Sequence, residues 1–249
     1  MLKSRLIEIL EDYFAVDAVF EPKELIDFRK KLIDFLRAEE NLLVYDADPN
    51  ILAAKDMIHL LDAHNTHITT YNRDLACKHI QPFFDRLLAT PSEQWGHYDL
   101  RILSDAVAFA PTAEITVELG AKSIMPIVNG RLAGSTDIIQ GMLAGRICSR
   151  LLYAKYFDPP TTVDLGDKFS TWFKKLERLA ENNEGLSLQY LLNQIRHALF
   201  HQNQEELFRL NDEMRQNYPE QVANHAIAAA GSYTSSKNYN AMLHEGISD

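Results

Sequence analysis

Apolar residues recur along this chain at helical spacing almost from end to end, and no stretch sustains the period of two that marks a strand. Leu2, Leu6, Ile9, Leu10 and Tyr13 share one face of a helix predicted over 2–14. Glu21-Pro22 opens a second helix with Pro at its first turn, and Leu25, Phe28, Leu32, Phe35 and Leu36 make its buried stripe. Asp46-Ala47-Asp48-Pro49 predicts a cap and start for a third helix over 50–63. The polar joint His64-Asn65-Thr66 leads into a fourth over 69–89. A fifth helix is predicted from Ser92, whose hydroxyl suits a cap, and Pro111-Thr112-Ala113-Glu114 closes it and opens a sixth. Gly130 and Gly134 mark a looser joint before a helix over 137–156, which stops at Asp158-Pro159-Pro160. Helices follow over 167–182 and 186–200, separated by Asn182-Asn183-Glu184-Gly185, and over 203–217 and 219–230. The polar stretch after Gly231 reads as a tail.

Short joints between helices favour antiparallel neighbours. The succession therefore predicts an all-α fold, an α-solenoid of stacked helix pairs. The expected organisation is one helical-repeat domain over 1–249, with N-terminal helices in 1–45, a helix-pair array in 46–230 and a tail in 231–249. No clean repeat at a 34-residue period accompanies it.

The net charge is −10, so clustered cations that would grip a phosphate backbone are not a general feature of the surface. No run of about 18 apolar residues suggests a membrane span, and Glu8, Glu11 and Asp12 interrupt any signal-peptide core. Cys77 and Cys148 fall on separate predicted helices, which fits a reducing cytoplasm better than a disulfide framework.

Catalytic motifs are not found: no glycine-rich phosphate loop, no nucleophile elbow and no His-Glu-x-x-His. His59, His64, His67 and His79 are the densest histidines, and His197 and His201 lie four apart, without companion ligands at familiar metal spacing. Asp99, Asp105, Glu114 and Glu118 flank the central hairpin and read as solvated helix faces. The expectation is a protein that is not an enzyme and carries no cofactor or metal.

Polar residues set into apolar helices are more suggestive: Arg73, Arg101, Asn129, Arg131, Arg146, Arg150, Asn193 and Arg196. Asn can bond both the N–H and the C=O of an extended peptide, and Arg can hold its terminal carboxylate. Seven of them, Arg73, Arg101, Asn129, Arg131, Arg150, Asn193 and Arg196, are the candidate peptide-binding residues.

The segment Trp95-Gly-His-Tyr98-Asp99-Leu, followed by Phe109-Ala-Pro-Thr-Ala-Glu114-Ile115, resembles the sensor region of the Rgg family of peptide-responsive transcription regulators. The resemblance implies a right-handed array of degenerate tetratricopeptide-like helix pairs. It also implies a homodimer formed through the C-terminal helices, and a short hydrophobic signalling peptide in a concave groove. Trp95 and Tyr98 would then lock two helix pairs together. Residues 1–65 contain no Gly and more acids than bases, unlike a helix-turn-helix domain. The expectation is accordingly a sensor whose DNA-binding domain is missing or separate. A helical-repeat scaffold for a folded partner, with no small ligand, is the alternative.

Overall fold

The computed structural model describes residues 2–15, 22–40, 49–124 and 136–231. Eleven α-helices run through them: α1 (Leu2–Ala15), α2 (Pro22–Glu40), α3 (Pro49–Thr70), α4 (Arg73–Ala89), α5 (His97–Ala106), α6 (Ala113–Ser123), α7 (Thr136–Phe157), α8 (Leu165–Ala180), α9 (Ser187–His201), α10 (Gln204–Asn217) and α11 (Glu220–Gly231). The described residues include no strand. The chain divides into two compact units, Met1–Pro111 and Thr112–Asp249. The predicted turns at 46–48, the Gly130–Gly134 joint and the tail beyond Gly231 lie outside the described residues.

In the first unit α3 is the central helix. It packs against α1, α2, α4 and α5, while α1 also lies on α2. Leu6, Leu10, Leu25, Leu32, Met57, Leu60, Leu61, Ile80, Phe83 and Phe84 are almost wholly removed from solvent and form its core. Each such side chain contributes about 1.5–3 kcal/mol on burial. The break predicted at 64–66 does not occur, and α3 continues to Thr70. Nothing there removes a backbone hydrogen bond. Thr69 and Thr70 instead turn their hydroxyls back on the Asn65 and Thr66 carbonyls. The helix ends where Tyr71 enters the left-handed region at φ 53°, and Asn72 caps α4 by accepting from the Leu75 N–H.

The start of α5 also differs from its predicted position. Ser92–Gln94 form a short 3₁₀ turn without a side-chain cap, and α5 begins only at His97. Asp99 fixes that start, its carboxylate accepting from the Gly96 N–H at 2.6 Å.

In the second unit Thr112 caps α6, Asp164 caps α8 and Asn203 caps α10, each accepting a backbone N–H three residues on. α7 packs on α6, α8 and α9; α9 packs in turn on α8, α10 and α11. α7 and α9 run in the same direction. Gly141 faces Leu186, Gly145 faces Gln189 and Asn193, and Tyr156 near the far end donates to the Leu199 carbonyl at 3.0 Å. The side chains opposite Gly141 and Gly145 occupy the space a Cβ would need, so these two glycines set how closely α7 and α9 approach. Gly120 of α6 does the same against the Trp172 indole. Gly185, predicted as a C-cap, lies inside the 3₁₀ turn Glu184–Leu186 without a left-handed φ, and its N–H is taken by the Asn183 side chain.

Candidate functional site

Three of the seven sequence-predicted residues lie inside the second unit. The side chain of Arg150 on α7 is fully closed off from solvent; its Nη2 donates to Asp158 at 2.5 Å and its guanidinium lies over the Tyr153 ring. Asn193 on α9 donates to the Gln189 carbonyl at 2.7 Å and accepts from Arg196 Nη1 at 3.3 Å. Arg196 acts on Cys148, favouring a thiolate, but burial outweighs it and pushes the thiol up to about 12. Arg150, Asn193 and Arg196 are each no more than 1% exposed, so they offer no polar surface to a ligand in this conformation. Their placement on a groove wall is corrected by this burial. Their polar atoms are engaged along their own helices, Arg150 with Asp158 at the end of α7, and Asn193 with Gln189 and Arg196 on α9.

Arg73 and Arg101 belong to the first unit and keep partial access to solvent. Arg73 uses Nη2 to close the end of the 3₁₀ turn Val107–Phe109, donating to Ala108 O at 3.2 Å and Ala110 O at 2.6 Å. Arg101 lies on α5, one turn beyond His97. Its charge acts on both His97 and Tyr98, as does that of Glu11 from α1. Burial lowers the pKa of His97 and raises that of Tyr98. The Nδ1 atom of His97 is enclosed and has no hydrogen-bond partner. Half-buried His97, Tyr98 and Arg101 and the exposed Glu11 make a polar and aromatic cluster on the first unit. Asn129 and Arg131 lie outside the described residues, and Arg146 is half-buried on α7.

The first unit also contains a part-buried constellation absent from the predicted set. Arg86 of α4 directs one nitrogen, Nη2, at both Asp56 of α3 (2.5 Å) and Asp99 of α5 (2.6 Å). Asp99 holds the Gly96 N–H, Trp95 Nε1 donates to Thr90 O at 3.3 Å, and the Thr90 hydroxyl donates to Arg86 O at 2.8 Å. These contacts close a circuit around the turn between α4 and α5. Trp95, 6% exposed, fills the turn. The Trp-x-x-Tyr-Asp pattern is thus a turn-fixing device here. Asp56 was accessible to the same polar-in-apolar test, since Ala53, Met57 and Leu60 share its face.

The histidines are drawn into aromatic packing. His64 and His67 meet the Phe109 ring edge-on, at 4.9 and 5.7 Å between centroids. His197 stacks on Phe173 at 4.7 Å and lies 4.4 Å from His201. Among the described residues no three His, Cys, Asp or Glu side chains come together in a way that could hold a metal ion. No helix of the described residues is long and apolar enough to cross a membrane. Compared with known proteins, the chain matches no protein-family model, no curated protein and no solved structure.

Proposed function

We propose that this chain is a regulatory sensor that binds a short peptide, with the first unit's Glu11, His97, Tyr98 and Arg101 cluster as the contact surface. The observation that carries the reading is that His97, Tyr98 and Arg101 stand together on α5, each with partial access to solvent. Glu11 of α1 adds an exposed carboxylate whose charge acts on His97 and Tyr98, as does that of Arg101. Arg101 suits a peptide's terminal carboxylate, and His97 and Tyr98 suit its backbone amides. The Rgg-like segment Trp95–Ile115 spans this surface. In this reading the helix pairs continue a right-handed, tetratricopeptide-like array. The protein dimerises, and a DNA-binding segment outside this chain transmits the signal.

Titration calorimetry of the full chain against hydrophobic peptides of five to ten residues tests the proposal. Arg101→Ala should weaken the best peptide by at least tenfold, about 1.4 kcal/mol. Affinity that survives Arg101→Ala, or a peptide pool in which nothing binds, sinks it.

A second reading, a scaffold for a folded partner, is favoured by Tyr71. This aromatic is 86% exposed at the α3–α4 turn, held at φ 53°, with Leu75 of α4 41% exposed. On that reading Tyr71→Ser, and not Arg101→Ala, abolishes binding.

A further inference from the structure

Two carboxylates share one guanidinium nitrogen in the part-buried joint of α3, α4 and α5. Asp56 is 4% exposed, and Arg86 Nη2 serves it and Asp99 at nearly the same distance. Arg86 Nε is buried and has no acceptor, so the guanidinium does not grip either carboxylate in a two-nitrogen fork. With both acids ionised the joint carries one uncompensated negative charge. Uncompensated charge out of water is costly, and a proton is the simplest remedy.

Which carboxylate takes the proton follows from the remaining contacts. Asp99 also accepts the Gly96 N–H at the start of α5, where the partial positive charge of a helix N-terminus favours an anion. Asp56 lies in the interior of α3 and has only the shared guanidinium to offset its burial. The charged groups acting on Asp56 are Arg86 from α4 and Asp99 from α5. Arg29 of α2 is turned to Asp62, and His59, one turn along α3, responds to Asp62 and His79.

We propose that Asp56 is a proton-binding site, and that its proton converts Arg86 from a link shared between α3 and α5 into the exclusive partner of Asp99. The circuit through Gly96, Trp95 and Thr90 then tightens around α5, while α3 is held by a neutral hydrogen bond. The helix that carries His97, Tyr98 and Arg101 is thereby coupled to pH. Burial, the largest influence on Asp56, outweighs the attraction of Arg86 and raises its pKa from 3.8 to about 6. The sign follows. A folded-state pKa above the unfolded one means that the folded unit binds the proton more tightly. Asp56 therefore contributes stability that is fully present below pH 3.8 and is lost as pH rises through 6.

The chain contains two tryptophans, Trp95 in the first unit and Trp172 in the second, so Trp172→Phe leaves Trp95 as the first unit's reporter. In that background, urea unfolding is compared at pH 7.5 and pH 5 with Asp56 intact and with Asp56→Asn, which keeps the protonated shape without the titration. His59, His67 and His97 are held neutral by burial and oppose the effect in both proteins, so the difference isolates Asp56. The unfolding constant should fall about tenfold more on acidification with Asp56 intact than in the Asp56→Asn chain. The ¹³C carboxyl resonance of Asp56 in the unsubstituted chain should titrate near pH 6, a readout independent of whether the variant folds. Identical pH profiles, or a carboxyl midpoint below pH 5, overturn the proposal.

Discussion

Replacing Arg150 by Met separates a core arginine from a ligand-binding one. Met preserves most of the aliphatic stem and removes the guanidinium, so the change falls on the ion pair with Asp158. Arg150 is wholly buried, and the Asp158 side chain keeps 11% of its surface. Removing one member of a buried pair costs about 3–5 kcal/mol, because the other charge is left without compensation. The remaining exposure lets water reach Asp158, which places the loss near 3 kcal/mol at the low end of that range. Arg150→Met combined with Asp158→Asn should recover at least half of it, since no orphan charge remains. Urea unfolding followed by Trp172 fluorescence, in a Trp95→Phe background, reads the second unit. A surface residue waiting for a ligand would change stability by no more than about 0.5 kcal/mol. A loss below about 1 kcal/mol for Arg150→Met, or no recovery in the double variant, refutes the reasoning.

Three further outcomes are expected. Gly120→Ala gains about 1 kcal/mol of helix propensity, but its Cβ would lie 2.6 Å from the Trp172 ring and 2.9 Å from Ile147. Overpacking against an indole costs about 1–3 kcal/mol, so a lower melting temperature is expected, and a rise would show that the ring yields freely. Burial and then His201 hold the His197 pKa below 6.5. The unfolded chain therefore takes up the proton first, and the second unit is at full stability above pH 6.5 and weakens below it; His197→Gln should flatten that slope in a pH series of unfolding curves. Cys148, enclosed and with its thiol at about 12, should resist an aromatic disulfide reagent until urea unfolds the second unit, whereas fast labelling of the native chain would contradict its burial.

How much of this was legible in advance differs from residue to residue. The predicted helices 2–14, 137–156 and 203–217 match α1, α7 and α10 to within one residue at each end. The start of α6 within Pro111-Thr112-Ala113-Glu114 was visible as well, and the structure assigns its cap to the Thr112 hydroxyl. The supposed joint at 64–66 failed because polar residues without Gly or Pro do not interrupt the backbone ladder. The start of α5 was misplaced because Gly96 has no side chain to signal a cap, and the capping group comes from Asp99, three residues on. The Trp95 segment stood out by composition, but its hydrogen-bond circuit through Thr90 and Arg86 was not visible.

The sequence by itself determined the helices, because period, caps and stops act over a few residues and are written in their order. Only the tertiary structure decided what the polar residues inside those helices do. Arg86, Arg101 and Arg150 look alike in their local sequence, each a cation among apolar neighbours. Their settings diverge: Arg86 of α4 meets carboxylates from α3 and α5, Arg150 is closed in against Asp158 at the end of its own helix, and Arg101 keeps partial access to solvent. The charge of a buried side chain is balanced by whatever lies within about 4 Å of it, and for Arg86 packing brings that neighbour, Asp56, from 30 residues away.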